Sequence, residues 1–358
     1  MELFAAMSEP GRRVGGYEGV HFLSDRESGL RAVVAIHSTR LGPALGGTRA
    51  LSTYPTEEAA VVDALRLARG MTYKAALAGV PHGGGKAVIL LPSGPFDRAR
   101  LFQAFGRAVD TLGGRYITTE DSGSSPDDME EVRRGTRFVV GQPPAKGGSG
   151  DPSPVTAFGV LRGIEAVARF ALGRGDLAGL RVALLGVGHV GHALAKLLHG
   201  AGAKLTIADA DAAKAERVRV ELGCAVASPA EIHALECDVF SPNALGAILN
   251  DETIPKLRCR AVAGAANNQL AELRHGALLA DRGILYAPDY AINAGGLINV
   301  ALEWRGYDEA RARAETSRIH DTLLEIFARA KAEGRDPATV ADSLAEDRLR
   351  GVSNAAVA

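Results

Sequence analysis

The segment Arg181-Val-Ala-Leu-Leu-Gly186-Val-Gly188-His-Val-Gly191 decides the fold of the C-terminal half of this chain. Its apolar start predicts a β-strand, its G-x-G-x-x-G spacing predicts a tight turn, and a helical stretch follows over 192–199. Glycine at these positions permits the turn, the approach of a pyrophosphate and close helix–strand packing, with the phosphates at the helix N-terminus. The predicted dinucleotide site comprises Gly186, Val187, Gly188, His189, Val190 and Gly191.

An acidic residue follows the next predicted strand, Lys204–Ala208. Asp209 stands where an acid commonly bonds the hydroxyls of the adenosine ribose. Because a carboxylate there would repel a 2′-phosphate, the sequence favours NAD over NADP as the cofactor.

Strand and helix patterns alternate on both sides of a loop-like segment, which predicts two α/β domains, the second a doubly wound Rossmann-type sheet. The segment 141–154 is rich in Gly, Pro and Ser and marks the predicted boundary. At 358 residues the chain is long enough to form two hydrophobic cores.

Composition excludes several classes of protein. The apolar fraction of 46%, the charged fraction of 23% and the formal net charge of −1 are typical of a globular protein in water, and they argue against nucleic acid or a membrane as a partner. The stretch 1–13 lacks the apolar core of a signal peptide, and the three cysteines lack a metal-ligand spacing. We therefore expect a cytoplasmic protein without a metal site.

Gly83-Gly84-Gly85-Lys86 is the second informative motif, with another lysine, Lys74, upstream. Glycines let a backbone pass close to a small ligand, and burial of the Lys86 ammonium would lower its pKa toward that of a usable base. Lys74 would keep its charge and hold a substrate carboxylate, because two ammonium groups in one pocket repel and the better-paired one stays protonated. Taken alone, the motif fits a glycine-rich turn with a surface lysine equally well.

A carboxylate, Asp121, follows the predicted strand Arg115–Thr119. Strand ends beside glycine turns are where catalytic groups of α/β proteins gather, although a turn former explains Asp121 just as well. Two loops, around Asn267 and around Asn293-Ala-Gly-Gly296, supply side-chain amides that could meet a ligand.

Together these motifs resemble the superfamily of glutamate, leucine, valine and phenylalanine dehydrogenases, and the leucine-specific members most closely. The resemblance implies oxidative deamination of an L-amino acid with NAD to a 2-oxo acid and ammonia, and assembly as a homo-oligomer. It covers nearly the whole chain and rests, in order, on Leu41–Arg49, Gly70–Lys74, Gly83–Lys86, Glu120-Asp121, Pro154–Gly159 and Asn293–Gly296.

The resemblance also implies a division of labour. Residues 1–145 plus about 320–358 would form the substrate-binding and oligomerisation domain, and residues 146–319 would form the Rossmann domain that binds NAD. Lys86 would be the general base that activates the attacking water, and Asp121 would handle protons at the amine. The matched substrate-binding positions include Lys74 for the α-carboxylate, Gly46 and Asn293, and the matched cofactor contacts are Arg49, Thr156, Asp209 and Asn267.

Two positions indicate which amino acid is bound. Glutamate-specific members carry a lysine where this chain has Leu45 and a serine where it has Val300. A side-chain carboxylate facing these apolar groups would be desolvated without a partner, at a cost of roughly several kcal/mol. An apolar side chain would instead gain roughly 1.5–3 kcal/mol from burial. The expected pocket wall comprises Leu45, Thr119, Ala291, Leu297 and Val300.

The choice among apolar substrates is less sharp. Leucine is favoured because the chain keeps most of the pattern of leucine enzymes, including Asn299-Val300. Ala291 replaces a larger valine of that pattern, so phenylalanine stays open as the alternative substrate. One methylene separates substrates by only about 10- to 200-fold, so we expect breadth across the branched-chain amino acids.

Two other classes of protein compete with this interpretation. A dinucleotide-binding protein without catalysis would not need Lys74, Lys86 and Asp121 together. A hydroxy-acid dehydrogenase usually relies on a His/acid pair, and the nine histidines offer no convincing one.

Overall fold

A computed structural model describes residues 16–244, 246–304 and 306–352 of the chain. The stretch 1–13, on which the expectation of no signal peptide rests, lies outside these ranges. No helix within them combines the length and apolar character needed to cross a membrane. The strands are β1 (Gly19–Asp25), β2 (Leu30–Ser38), β3 (Ala44–Leu51), β4 (Gly83–Leu90), β5 (Tyr116–Glu120), β6 (Arg181–Leu185), β7 (Lys204–Ala208), β8 (Ala225–Val226), β9 (Val239–Pro242), β10 (Ala261–Val262) and β11 (Leu285–Tyr286). The α-helices are α1 (Glu57–Ala78), α2 (Arg98–Asp110), α3 (Pro126–Arg133), α4 (Ser153–Leu172), α5 (His189–Gly200), α6 (Ala212–Leu222), α7 (Arg274–Asp281), α8 (Asp289–Ile292), α9 (Gly295–Glu303), α10 (Glu309–Ser317), α11 (Ile319–Glu333) and α12 (Pro337–Val352).

The described residues form two compact units. Unit 1 comprises 16–150, 300–308 and 345–352, and unit 2 comprises 151–299 and 309–344, apart from positions 245 and 305. Residues 320–344 therefore do not return to the first domain, contrary to the prediction from the resemblance, and 309–319 stay in unit 2. The reason is packing within unit 2: glycines on α4 let α11 approach closely, with the side chains of Ile319 against Gly159 and Leu323 against Gly163.

Unit 1 is built on a five-stranded mixed sheet of order β1-β2-β4-β3-β5. β1 and β2 form an antiparallel hairpin and β2 pairs antiparallel with β4, whereas β4, β3 and β5 pair parallel. β2 is apolar on both faces, with Val34 and Ile36 in one core and Val33 and Ala35 in the other. Helix α1 covers the second face and α2 and α3 cover the first, which places the sheet between two layers of helices.

Helix α1 has a capped start. Thr56 caps it by accepting a hydrogen bond from the backbone N of Ala59 (3.1 Å), and Glu57 and Glu58 lie in its first turn. The helix extends to Ala78 and is followed by Gly79, where φ is +68°. Lys74 therefore lies on this helix, near its C-terminal end.

The glycine triplet before Lys86 is part of β4 rather than a turn. A Cβ at Gly83 would lie 1.8 Å from the carbonyl oxygen of Ser38, and one at Gly84 would lie 2.1 Å from the backbone N of Thr72. A Cβ at Gly85 would lie 2.8 Å from the ring of Tyr116. Glycine at these three positions therefore admits neighbouring backbone and side chains of the protein itself.

Unit 2 contains a six-stranded sheet of order β11-β10-β9-β6-β7-β8, and every neighbouring pair is parallel. Numbered along the chain from the first strand of the unit, the order is 3-2-1-4-5-6, which is the doubly wound Rossmann order. The predicted α/β class and Rossmann-type second domain are confirmed. The strand order reverses between the neighbouring strands β6 and β9. Ligands of such sheets bind at this point, at the carboxyl ends of the strands.

Candidate active site

Lys86 lies in the middle of β4, on the face covered by helix α1. Val88, two residues later on the same face, packs with Ala64 and Leu65 of that helix, and Gly84, two residues earlier, touches Thr72. Only 5% of Lys86 is exposed. A lysine this deeply buried loses most of its hydration and needs a charged partner.

The partner is Asp121, which follows β5 on the far side of β3. Lys86 Nζ donates to Asp121 Oδ2, so the side chains meet across the strand that separates them. Gly47 occupies that strand between them: a Cβ there would lie 2.7 Å from the Cβ of Asp121 and 3.3 Å from Lys86 Nζ. The sequence interpretation did not single out Gly47, although paired glycines inside an apolar strand are a signal of close approach.

Asp121 is a turn residue and a charged partner at once. The backbone N of Ser124 donates to its carbonyl oxygen (2.9 Å), and the hydroxyl of Ser124 accepts from the backbone N of Asp121 (2.9 Å). The same hydroxyl donates to the carbonyl oxygen of Thr48 on β3 (2.7 Å). The turn thereby fixes the carboxylate at the carboxyl end of β5.

The electrostatics of the pair follow from burial and from neighbouring charge. Desolvation lowers the pKa of Lys86 below its ordinary value, although the carboxylate of Asp121 opposes this shift. Burial alone would raise the pKa of Asp121, but the charges of Lys86 and Arg49 outweigh it and hold the pKa of Asp121 below its usual value. The arrangement can therefore supply an amine that gives up its proton more readily than a surface lysine.

Arg49, which the resemblance assigned to the cofactor, contacts carboxylates of unit 1. Its Nη1 donates to Asp63 Oδ2 (2.7 Å), and its Nε lies 3.4 Å from Asp121 Oδ2. The hydroxyl of Tyr54 donates to the same oxygen of Asp63 (2.6 Å). Asp63 and Tyr54 had no signal in the sequence, because nothing in their spacing relates them to Asp121.

Most of the other predicted substrate-binding positions of unit 1 are buried. Leu45 is 1% exposed and Thr119 and Val300 are 8% exposed, and the hydroxyl of Thr119 has no hydrogen-bond partner among the described residues. Gly46 packs on Gly85, since a Cβ there would lie 1.7 Å from the carbonyl oxygen of Gly85. Lys74 is half-buried on α1.

In unit 2 the loop between β6 and α5 has the predicted glycine geometry. Gly186 has a φ of +93°, and a Cβ at Gly191 would lie 1.9 Å from the carbonyl oxygen of Gly186, so the helix packs tightly on the turn. Gly188 is the N-cap of α5, which begins three residues earlier than predicted. Apart from the neighbours of Gly188 along the chain, no described residue has an atom within 4 Å of a Cβ at this position, which leaves space beside His189 and Val190 at the helix N-terminus.

Asp209 lies against this loop at the end of β7. Its Oδ2 accepts a hydrogen bond from the backbone N of Val187 (2.8 Å), and its Oδ1 accepts from the backbone N of Asp211 (2.9 Å). Each oxygen retains a second lone pair, so the fixed carboxylate can still accept from a hydroxyl.

Two amides meet after β10 and α8. Asn293 Nδ2 donates to Asn267 Oδ1 (2.7 Å) and to the carbonyl oxygen of Ala265 (3.0 Å). Asn293 is 4% exposed, and its Oδ1 has no hydrogen-bond partner among the described residues. An unpaired buried carbonyl oxygen is costly, so this atom fits an N–H donor of a ligand.

The other predicted positions of unit 2 surround the start of α4. The Thr156 hydroxyl donates to the carbonyl oxygen of Pro152 (2.9 Å), and a Cβ at Gly296 would lie 2.8 Å from that hydroxyl oxygen. A Cβ at Gly295 would lie 2.4 Å from the carbonyl oxygen of Val155. The glycines of the Asn-Ala-Gly-Gly motif thus allow α9 to contact α4, and Ala291 and Leu297 are buried nearby in sequence.

The parallel sheet, its glycine turn and the acid at the end of β7 are typical of dinucleotide-binding oxidoreductases, and the buried Lys86–Asp121 pair is a candidate acid–base group. Comparison with known proteins is consistent with this class. A family model for the dimerisation domain of Glu/Leu/Phe/Val dehydrogenase matches residues 19–137, and one for Glutamate/Leucine/Phenylalanine/Valine dehydrogenase matches residues 207–339.

Similar proteins cover nearly the whole chain. Leucine dehydrogenase of Thermoactinomyces intermedius is 51% identical over 333 residues, which are 93% of this chain and 91% of that protein. Valine dehydrogenase of Streptomyces albus is 49% identical over 338 residues, 94% of this chain and 93% of that protein. The crystal structure of L-tryptophan dehydrogenase from Nostoc punctiforme matches with a TM-score of 0.85 and 46% identity, covering 94% of this chain and 97% of that one.

The chain therefore belongs to the Glu/Leu/Phe/Val dehydrogenase family, as the sequence motifs predicted. It is an amino-acid dehydrogenase that acts on small amino-acid and oxo-acid substrates with a nicotinamide dinucleotide cofactor.

Proposed function

We propose that this enzyme catalyses the reversible, NAD-dependent oxidative deamination of branched-chain L-amino acids, with leucine favoured. The observation that carries the proposal is the buried Lys86–Asp121 pair, because it supplies a desolvated amine next to a fixed carboxylate. Such a pair suits a reaction in which water adds to an imino carbon and protons must move at the nitrogen.

Each residue of the pair has a chemical task in this proposal. Neutral Lys86 Nζ removes a proton from the water that attacks the imino carbon. Burial lowers the pKa of this amine, so a larger fraction of it is neutral than of a surface lysine at the same pH. Asp121 accepts and returns protons at the substrate nitrogen. Lys74 stays charged and binds the α-carboxylate, and Asn293 Oδ1, unpaired and buried, accepts from the substrate ammonium.

A nicotinamide dinucleotide bound to unit 2 would supply the acceptor for the hydride that leaves Cα. Unit 2 fits such a group, because the described residues leave space at Gly188 beside the N-terminus of α5, where backbone N–H groups favour phosphates. Asp209 at the end of β7 favours NAD, because its charge would repel a 2′-phosphate. Thr156 and Asn267 are proposed as further contacts to the cofactor.

The apolar substrate is supported by Leu45 and Val300, both buried and neither able to pair with a side-chain carboxylate. Relatives at about half identity are named for leucine, valine and tryptophan, which supports an apolar side chain and a range of sizes. Thr119, Ala291 and Leu297 complete the proposed wall. Phenylalanine is the second candidate, because Ala291 provides the extra volume. We also propose a homo-oligomer, in keeping with the dimerisation domain matched over 19–137.

The proposal is tested by following NADH formation at alkaline pH from leucine, valine, isoleucine, phenylalanine, tryptophan and glutamate, each with NAD and with NADP. We expect the highest kcat/KM for leucine with NAD, and glutamate lower by at least about a hundredfold. A preference for glutamate would exclude an apolar substrate pocket at Leu45 and Val300. A variant Leu45→Lys should gain activity on glutamate at the expense of leucine.

A further inference from the structure

We propose that Asp63 is a positioning residue of the dehydrogenase reaction, which acts through Arg49 to keep Asp121 paired with Lys86. This inference rests on the proposed function, since it concerns the same acid–base pair. Neither the family resemblance nor the spacing of residues in the sequence assigns any role to Asp63.

An unbroken row of alternating charges runs from the sheet to helix α1. Lys86 pairs with Asp121, Arg49 Nε lies 3.4 Å from the same Asp121 oxygen, and Arg49 Nη1 is 2.7 Å from Asp63 Oδ2. Tyr54 donates to that Asp63 oxygen as well (2.6 Å). The four charged side chains are 7%, 25%, 23% and 14% exposed in order along the row, so water screens their interactions only partly.

The two ends of the Arg49 guanidinium have different geometry. Nη1 makes a hydrogen bond of ordinary length to Asp63, whereas the buried Nε has no hydrogen-bond partner in the part of the chain that the structure describes and reaches Asp121 only at ion-pair distance. A guanidinium free to move would form two parallel hydrogen bonds with a carboxylate, which is its strongest pairing. Because Asp63 holds one end of Arg49, the guanidinium does not close on Asp121, which stays available to Lys86.

The charges of this row act on the base in opposite directions. Arg49 lowers the pKa of Lys86, and Asp121 and Asp63 raise it. Ionisable groups face this row from each packed element: Arg49 on β3, Asp63 and Arg66 on α1, Tyr116 on β5 and Tyr54 before α1, with Arg66 Nη2 3.5 Å from Asp63 Oδ1. Neutralising Asp63 removes one raising charge and releases Arg49 toward Asp121, and both changes disfavour protonated Lys86.

The test compares kcat/KM against pH, with leucine and NAD, for the wild type, Asp63→Asn, Arg49→Gln and the double variant. The acid limb of this profile reports the proton of the essential base in the free enzyme. Asp63→Asn should move its midpoint to lower pH by about one unit, and Arg49→Gln should move it to higher pH by a similar amount. The double variant, which removes one charge of each sign, should lie near the wild type. Tyr54→Phe keeps every charge and should leave the midpoint in place.

A second readout does not require turnover. The rate at which acetic anhydride acetylates Lys86, measured by mass spectrometry of its peptide as a function of pH, should show the same shifts in the apoenzyme. If Asp63→Asn does not fold alone, the step from Arg49→Gln to the double variant measures the effect of the Asp63 charge. Midpoints that do not move in opposite directions overturn the role of Asp63. A wild type inactive on every amino acid would instead overturn the proposed function, and the acetylation profile would still decide the role of Asp63.

Discussion

The two glycine-rich segments of this protein look alike in sequence and meet different demands. In Gly83–Gly85 every missing Cβ would collide with the protein itself, with backbone of Ser38 or Thr72 or with the ring of Tyr116. In the loop from Gly186 to Gly191 the outer two glycines are restricted in the same way, but Gly188 borders open space. In unit 1 the glycines therefore allow neighbouring segments to pack closely beside Lys86, whereas in unit 2 Gly188 leaves room for a ligand.

The largest effect expected from this comparison is on folding. Gly83→Ala forces a Cβ to 1.8 Å from the carbonyl oxygen of Ser38 and should lower stability by more than about 4 kcal/mol or abolish soluble expression. The added Cβ of Gly188→Ala contacts no described residue, so the melting temperature should stay unchanged, but it occupies the proposed ligand space and should weaken NADH binding. Gly94→Ala, also without a neighbour within 4 Å, is the matched control in unit 1. A stable Gly83→Ala protein would contradict the packing argument.

The next effect separates chemistry from cofactor binding. Lys86→Met should lower kcat by about 10²- to 10⁴-fold, because the buried base is lost, and should leave the Kd for NADH within about twofold. Fluorescence titration with NADH measures the second quantity. Lys256→Met, which removes an exposed lysine, should change neither. Loss of NADH binding in Lys86→Met would show that the two glycine-rich segments do not have separate roles.

A third prediction concerns acid stability beside the first segment. His37 Nδ1 lies 2.9 Å from the hydroxyl of Thr72, the residue that contacts Gly84. Burial lowers the pKa of His37 to about 4. Between the ordinary pKa of 6.5 and this value the unfolded chain binds more protons, so stability falls as pH falls. The loss between pH 7 and pH 5 should be about 2 kcal/mol.

Thermal unfolding at the two pH values measures this loss. His37→Gln should lack most of it, although its stability at pH 7 should be lower because the packing between Tyr17 and Tyr73 is disturbed. His199→Gln, at an exposed position, should behave as the wild type does. An unchanged pH dependence in His37→Gln would assign the acid loss to other groups.

The smallest expected effect lies at the second segment. Asp209→Asn keeps an acceptor for the backbone N of Val187 but removes the charge, so NAD binding should weaken by roughly tenfold or less. The preference for NAD over NADP should shrink, as measured by the two Kd values. Asp211→Asn removes a charge two residues away while keeping an acceptor at the N-cap of α6, and it should leave that preference intact. If the Kd values of Asp209→Asn for NAD and NADP equal those of the wild type, Asp209 does not contact the ribose.

The sequence predicted the elements whose cause is local. The G-x-G-x-x-G turn and strand β7, with Asp209 after it, each depend on residues a few positions apart. Contacts between distant segments were not predictable in this way. Gly47, Asp63 and the return of α11 to α4 depend on which strand or helix lies opposite, and only the folded chain brings those partners together.

Gly47 sets a practical limit for redesign of substrate range. Libraries at the proposed pocket positions Leu45 and Val300 can exchange one buried apolar side chain for another of similar volume, usually at a cost below about 1.5 kcal/mol. Position 47 offers no such freedom, since even a methyl group would fill the passage through which the lysine reaches its carboxylate. A codon set that spares this one position should retain far more active clones than one that includes it.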